Sequence, residues 1–220
     1  MKKHILCFGD SNTHGFCRDF RDSETNSGRY SENERWTCLL QRNLGEDYYV
    51  IEEGLNGRTT CFEDPLKEGM RGLDYIGPCL VSHKPVDLLI IMLGTNDVKD
   101  RYGASAACVA MAMDRLVRKA MAEECWEGKK PNILVIAPLP IGEGILNTPF
   151  VQTMGSGCVE KSRELAKYYK IQCDCLGVHF LDATDLGCEY NDQDYMHLTR
   201  EGHRALAQAL ACRIPGLLQP

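Results

Sequence analysis

Residues 5–16 read ILCFGDSNTHGF, an apolar run that stops at Gly9 and is followed at once by an acid, a serine and an asparagine. Gly, Asp, Ser and Asn all favour turns, each for its own backbone reason. The pattern therefore predicts a buried strand that ends in a turn. It leaves open whether Ser11 is an ordinary turn or helix-capping residue or a nucleophile presented at the end of the strand.

Four more segments rich in aliphatic and β-branched residues follow along the chain, with helical patterns between them. The five predicted strands cover residues 4–8, 48–52, 87–92, 132–137 and 178–182. Strands that alternate with helices indicate βαβ units and a mostly parallel sheet. Because the first, third and fourth strands are almost continuously apolar, as strands covered on both faces are, we expect them at the centre of the sheet.

Apolar residues at helical spacing predict helices over residues 34–44, 105–122 and 160–169, and Thr199 is predicted to cap a last helix. Residues 18–33 and 139–157 are predicted to form long loops. Such loops are usually functional or flexible in compact domains. The second loop is also too apolar for a freely solvated segment, which suggests self-association.

The length and charge of the chain limit its possible partners. A chain of 220 residues can form one domain with a full core, so we expect a single domain over residues 1–220. The net charge of −6 argues against nucleic acid as a partner. We see no export signal, and no apolar segment approaches the length of about 20 residues that is needed to cross a bilayer. We therefore expect a soluble protein without a membrane partner.

The twelve cysteines are scattered singly along the chain, unlike the dense framework of a small secreted protein. We therefore expect reduced thiols and a cytoplasmic protein. Cys173, Cys175 and His179 could supply metal ligands, but their spacing is not the paired C-x2-C of structural zinc sites. The interpretation that we prefer is a helix end that leads into a strand, and the sequence predicts no metal site.

Ligands of open parallel α/β sheets bind beyond the carboxyl ends of the strands. The segments expected at that edge are GDSN (9–12), GLNGR (54–58), GTND (94–97) and DYMH (194–197). Together they contain a hydroxyl, an imidazole, a carboxylate and donors for an oxyanion, which are the groups that acyl transfer by a serine requires. The sequence therefore predicts a serine-based catalytic site at this edge.

These four segments, in this order, resemble the four sequence blocks of the SGNH hydrolases, also called the GDSL esterase and lipase family. The chain looks most similar to the bacterial arylesterase and acyltransferase branch, through ILCFGDS, RW at 35–36, VIEEGLNGRTT at 50–60 and the stretch 87–97. The resemblance implies a three-layer, flavodoxin-like α/β sandwich with a five-stranded sheet. It also implies a serine esterase that acts on short-chain acyl or aryl esters through an acyl-enzyme, with acyl transfer to alcohols as a further reaction and no cofactor.

Carried over to this chain, the resemblance makes Ser11 the nucleophile, His197 the general base and Asp194 the carboxylate that fixes the imidazole tautomer. The oxyanion donors would be the backbone N–H groups of Ser11 and Gly57 and the side-chain amide of Asn96. No residue is assigned to a metal or cofactor. Similar arylesterases form homo-oligomers, which strengthens the expectation of self-association.

The chain departs from the family pattern after Gly-Asp-Ser, where Asn12 stands in place of the leucine of many members. With His14 and Phe16 it is expected to make the pocket more polar. His203 is the nearest alternative base. Arg58 is expected either in a loop salt bridge or beside an acidic group of the substrate.

Two other functions stay open at this point. One is a carbohydrate deacetylase or a lysophospholipase on the same scaffold, because the catalytic groups do not select the acyl donor. The other is a non-catalytic flavodoxin-like binding module with an acidic mouth near Asp10 and Asp97.

Overall fold

The structure is a computed structural model in which residues 2–218 are described. It contains one five-stranded sheet and seven α-helices. In chain order the elements are β1 (Lys3–Gly9), α1 (Ser11–His14), α2 (Trp36–Leu44), β2 (Tyr48–Gly54), α3 (Gly72–Ser82), β3 (Leu88–Met92), α4 (Ala106–Met121), β4 (Ile133–Ala137), α5 (Val151–Met154), α6 (Cys158–Leu176), β5 (His179–Asp182) and α7 (Arg200–Leu217).

All strands of the sheet are parallel, in the order β2-β1-β3-β4-β5. The three strands predicted to be central, β1, β3 and β4, are indeed the interior ones. The strand order reverses between β1 and β3, because the chain leaves β1 toward β2 and then returns to the other side of β1. Such a reversal opens a crevice at the carboxyl ends of the two strands, and Gly9 is paired with Met92 at that edge.

Helices cover both faces of the sheet. Alternate side chains of β1 enter two separate clusters of buried residues: Leu6 and Phe8 belong to one, and Ile5 and Cys7 to the other. The first cluster includes residues of α3, α4 and α6, and the second includes residues of α2 and α7. The prediction of a three-layer α/β sandwich is therefore confirmed.

The predicted strands are confirmed to within two residues at each end, and two helices required correction. The helix predicted over 160–169 spans Cys158–Leu176, because its buried stripe continues to Cys173. The helix Gly72–Ser82 was not predicted, since two glycines and Pro78 within it disfavour a helix in isolation. It forms because it buries an apolar face that includes Ile76 and Leu80.

The loop predicted over 139–157 contains a 3₁₀ helix, Glu143–Asn147, and the short helix α5. Ile141 and Ile145 within it are buried in the core of the same chain. This burial accounts for part of the apolar character that suggested self-association. Leu146 remains 42% exposed.

Each of the twelve cysteines, all of which lie within the described residues, is a free thiol, as predicted. Among residues 2–218, no helix combines the length and the apolar composition needed to cross a membrane.

Candidate active site

The turn after β1 presents Ser11 at the start of a helix. The side chain of Asp10 accepts a hydrogen bond from the backbone N–H of Asn12 at 3.0 Å and so caps α1. The chain comes very close to its neighbours here: a Cβ on Gly9 would lie 2.9 Å from the carbonyl oxygen of Met92. Only glycine allows β1, α1 and β3 to meet this closely, and their contact directs Ser11 toward the crevice.

A continuous row of hydrogen bonds joins Ser11, His197 and Asp194. The Oγ of Ser11 lies 2.8 Å from Nε2 of His197, and Nδ1 of the same imidazole lies 2.7 Å from Oδ2 of Asp194. Asp194 and His197 lie in the turn before α7, on the other side of the crevice from α1. His197 therefore contacts both of the other residues that the resemblance implied for the site.

The carboxylate of Asp194 is buried and surrounded by donors. Burial alone would raise its pKa, but hydrogen bonds and charge from His197, with the backbone N–H groups of Met196 and His197, hold the pKa below its usual value. The side-chain amide of Asn191 donates a further hydrogen bond to it at 3.0 Å. Asp194 is therefore held as an anion in a single orientation against the imidazole.

Asn12 has a different place from the one expected. It is buried and makes two hydrogen bonds to the turn that contains His197: its Oδ1 accepts from the N–H of Leu198 at 2.9 Å, and its Nδ2 donates to the carbonyl of Met196 at 3.2 Å. Of the three residues expected to make the pocket more polar, Phe16 lines the cavity, and its ring packs on the imidazole of His197 at 4.6 Å between centroids. The polar Asn12 positions the histidine turn instead.

Ser11, Gly57, Asn96 and His197 line one open cavity of about 260 Å³. The Nδ2 of Asn96 donates a hydrogen bond to the carbonyl of Arg58 at 3.2 Å, which links the loop after β3 to the loop after β2. The residues expected to provide the oxyanion hole are thus gathered around the serine. The full lining comprises Ser11, Phe16, Asn56, Gly57, Lys67, Thr95, Asn96, Lys99, Phe150, Thr153, Met154, Met196 and His197.

The side chains that form the walls of this cavity were not predicted from the sequence. Phe150 and Met154 come from the second long loop, and Lys67 comes from the segment between β2 and α3. They have no motif and no fixed spacing from Ser11, so only the fold identifies them. A larger cavity of about 630 Å³ lies at the opposite end of the sheet, near Lys3 and Asp87, where the described residues include no such row of hydroxyl, imidazole and carboxylate.

Two acidic residues close to the site are buried beneath it. Asp10 and Asp97 are 1% and 0% exposed, and burial raises the pKa of each to about 6. Asp97 accepts hydrogen bonds from the backbone N–H and the hydroxyl of Thr60, so it links the loop after β3 to the segment between β2 and α3. The acidic mouth on which the binding-module alternative rested is therefore absent from the described surface, because both carboxyl groups are inside the protein.

The structure also places His203, the alternative base, and Arg58. His203 is fully buried, its Nδ1 accepts a hydrogen bond from the N–H of Trp36 at 3.2 Å, and burial lowers its pKa to about 3. It is a structural residue rather than an alternative base. The expectation for Arg58 is corrected. It is buried, donates to the carbonyl of Gly9 at 3.0 Å and stacks over the ring of Phe8, and among the described residues it has no salt bridge and does not line the cavity beside Ser11.

The candidate metal ligands from the sequence do not converge, since Cys173 is buried in the core while Cys175 and His179 are exposed. A different group could hold a metal ion: one ligand atom each from Glu53, Cys79 and His83, all within 4.8 Å of one another. Cys79 lies on α3, the helix that was not predicted, and His83 is the residue that directly follows it. For that reason the group was not predicted from the sequence.

The geometry matches what acyl transfer by a serine requires. A hydroxyl next to an imidazole can lose its proton as it attacks a carbonyl carbon, and a buried carboxylate keeps the imidazole correctly oriented. Donors beside the serine can stabilise the negative oxygen that forms.

Comparisons with known proteins agree with this chemistry. Residues 7–205 match the model of the GDSL-like lipase/acylhydrolase family. A search of curated proteins found no match. Among solved structures, the chain is similar to Est24, a carbohydrate acetylesterase from Sinorhizobium meliloti, with 36% identity and a TM-score of 0.85 over 98% of this chain and 100% of that one.

Two more solved structures are similar over almost their whole length. The M. smegmatis aryl esterase has 35% identity and a TM-score of 0.86, over 98% of this chain and 99% of that one. A carbohydrate acetylesterase family member from Sinorhizobium meliloti has 34% identity and a TM-score of 0.87, with the same coverage.

Proposed function

Because the chain belongs to the GDSL-like lipase/acylhydrolase family and is a carboxylic ester hydrolase of the serine type, we propose that Ser11 is its nucleophile, His197 its general base and Asp194 the residue that orients the base. The observation that carries the proposal is the pair of hydrogen bonds at His197, 2.8 Å to the Ser11 hydroxyl and 2.7 Å to the Asp194 carboxylate.

In the first half of the reaction, Oγ of Ser11 attacks the ester carbonyl carbon while Nε2 of His197 takes the hydroxyl proton. The carbonyl oxygen becomes negative and accepts hydrogen bonds from the backbone N–H groups of Ser11 and Gly57 and from Nδ2 of Asn96. When the C–O bond to the alcohol breaks, the imidazolium returns the proton to the departing oxygen. The acyl group is then bound to Ser11.

In the second half, water attacks the acyl-enzyme and His197 accepts one of its protons. The same oxyanion donors act again, and the acid leaves as Oγ of Ser11 is reprotonated. An alcohol in place of the water would give a new ester, which is the acyl transfer that we include in the proposal. No step requires a metal or an organic cofactor.

We propose short-chain acyl esters, including aryl esters, as substrates. The cavity beside Ser11 is small, about 260 Å³, compared with the about 300–1,000 Å³ of typical small-molecule sites. Phe16, Phe150 and Met154 limit its extent. The similarity to an aryl esterase supports this substrate class.

A carbohydrate acetylesterase is the second candidate, since two of the similar structures have that activity in their names. Both candidates use an acetyl group and differ in the alcohol that leaves. Initial rates on p-nitrophenyl acetate, phenyl acetate and acetylated sugars will separate them. A lysophospholipid in the same panel tests the remaining alternative on this scaffold.

We also propose that residues 1–220 form one domain that assembles into a homo-oligomer in the cytoplasm. Exposed apolar side chains such as Leu146 support self-association, and twelve free thiols favour a reducing compartment. Sedimentation velocity at micromolar concentration tests the oligomer, and a monomer there would contradict it.

Covalent trapping tests the nucleophile directly. An organophosphonate should add once per chain to wild-type protein and to Ser156→Ala, whose serine is exposed, and should not add to Ser11→Ala. Peptide mass mapping locates the adduct. A stoichiometric adduct at another residue would overturn the assignment of Ser11.

A further inference from the structure

The side chain of Lys67 contacts the peptide group that precedes Gly57. Its Nζ donates a hydrogen bond to the carbonyl oxygen of Asn56 at 3.2 Å. That carbonyl belongs to the same peptide unit as the N–H of Gly57. In a trans peptide the two groups point in opposite directions, so a group that holds the carbonyl also determines where the N–H points.

This peptide lies at the centre of a tight turn. The N–H of Arg58 donates to the carbonyl of Leu55 at 3.0 Å, and Gly57, the third residue of the turn, has a φ of +90°. These values describe a type II turn. Type I and type II turns differ by a rotation of the central peptide, and glycine in the third position permits both.

The orientation of the central peptide decides whether the turn can assist catalysis. In the type II orientation the carbonyl of Asn56 faces Lys67. After a rotation to type I, a carbonyl oxygen would replace the N–H of Gly57, and it would repel a developing oxyanion. Asn96 fixes the end of the turn through the carbonyl of Arg58, but this contact leaves the central peptide free to rotate.

The segment that contains Lys67 is itself anchored. Its backbone N–H donates to the carbonyl of Asp64 at 3.2 Å. The Asp64 carboxylate is buried, accepts the N–H of Leu66 at 3.0 Å and forms a salt bridge with Arg101 at 3.2 Å. The ammonium group therefore extends toward the turn from a fixed backbone.

We propose that Lys67 is a positioning residue that holds the Asn56–Gly57 peptide with its N–H directed at the oxyanion. This inference rests on the proposed function of Ser11 and Gly57. The positive charge on the carbonyl also polarises the peptide and makes its N–H a stronger donor, because hydrogen bonds in a chain reinforce one another. Lys67 thus acts through Gly57 and does not itself contact the reacting atoms.

Kinetics of Lys67→Met on the neutral ester p-nitrophenyl acetate test the proposal. We expect kcat to fall about 10- to 30-fold with little change in KM. This loss in kcat is smaller than the loss of about 100- to 1,000-fold that follows removal of a whole oxyanion donor. Lys67→Arg retains the charge and should recover most of kcat. Lys129→Met, at the opposite end of the sheet, is the matched control and should behave as wild type.

A second measurement separates positioning from fold effects. A trifluoromethyl ketone, which forms an anionic adduct with the serine, should bind Lys67→Met more weakly by the same factor as the loss in kcat, while thermal melting stays as in wild type. The combined loss in Lys67→Met/Asn96→Ala should differ from the product of the single losses, because both residues act on one oxyanion.

Three results would overturn the inference: an unchanged kcat, a change in KM alone that is limited to anionic esters, or an equal loss in Lys129→Met. The second result would make Lys67 a charge that binds substrate. All three require an active wild-type enzyme. If the wild-type protein hydrolysed no ester, the proposed function would fail instead, and the two failures are therefore distinguishable.

Discussion

The hydroxyl of Ser11 and the imidazole of His197 lie 2.8 Å apart although 186 positions separate them in the chain. The contact exists because α1 follows the central strand β1 while the turn before α7 folds back over the same edge of the sheet. Both sides are fixed by one buried residue, Asn12, which follows Ser11 and makes two hydrogen bonds to the histidine turn.

Replacement of Ser11 by alanine should abolish ester hydrolysis without loss of the fold, because the side chain lies at the start of α1 and lines an open cavity. Activity is measured on p-nitrophenyl acetate and folding by circular dichroism, with Ser156→Ala as the control. Retention of more than a few per cent of the activity would rule out Ser11 as the nucleophile.

Asp194→Asn tests the orienting role of the carboxylate. An asparagine keeps the shape but favours the wrong imidazole tautomer, and in serine proteases this change lowers kcat about 10⁴-fold. We expect a loss of that order, with Asp185→Asn, an exposed site, as the control. A loss of less than about tenfold would show that His197 is positioned adequately by other contacts.

Asn96→Ala removes one proposed oxyanion donor. The expected cost is about 2.7–4 kcal/mol in transition-state stabilisation, which appears mainly in kcat. Steady-state kinetics give the division between kcat and KM. An effect on KM alone would mean that Asn96 binds substrate and transition state equally.

The small cavity predicts a limit on acyl length. Each acyl methylene that the cavity can bury contributes about 0.8 kcal/mol to transition-state binding, and each methylene that stays in water contributes nothing. Values of kcat/KM should therefore be highest for acetate and other short p-nitrophenyl esters and should fall before the octanoate. A steady rise from acetate to decanoate would mean that Phe150 and Met154 do not close the pocket.

Asp97 should make stability depend on pH. Burial raises its pKa to about 6, above the about 3.9 of an unfolded chain. The folded state therefore binds the proton more tightly than the unfolded state, which stabilises the fold at low pH. This contribution to the free energy of unfolding is complete below the unfolded pKa and is lost as pH rises through about 6.

Urea unfolding at about pH 5 and about pH 8 measures this effect. Asp97→Asn should reduce the change in unfolding free energy between the two pH values by about 1.4 kcal/mol. Asp185→Asn again serves as the surface control. An unaltered pH dependence in Asp97→Asn would show that the carboxyl group titrates normally in the folded protein.

The sequence by itself determined the class of fold and the identity of the central strands. Continuous apolar runs such as residues 88–92 can exist in water only when both faces are covered, so hydrophobicity alone located β1, β3 and β4. The segments that contain Ser11, Gly57, Asn96 and His197 were expected to meet because the loops at the carboxyl ends of parallel strands share one edge. The choice of these residues within the segments came from the resemblance to the SGNH hydrolases.

Only the tertiary structure decided which side chains face that edge. Asn12 was expected in the pocket but is buried, because its side-chain amide forms hydrogen bonds with the backbone of a turn that is distant in sequence. Helix α3 forms against local propensity because it buries an apolar face. The contact between Lys67 and Asn56 likewise joins separate turns. Local pattern specifies elements and their ends, whereas contacts between loops depend on the packing of the whole chain, which no short stretch of sequence encodes.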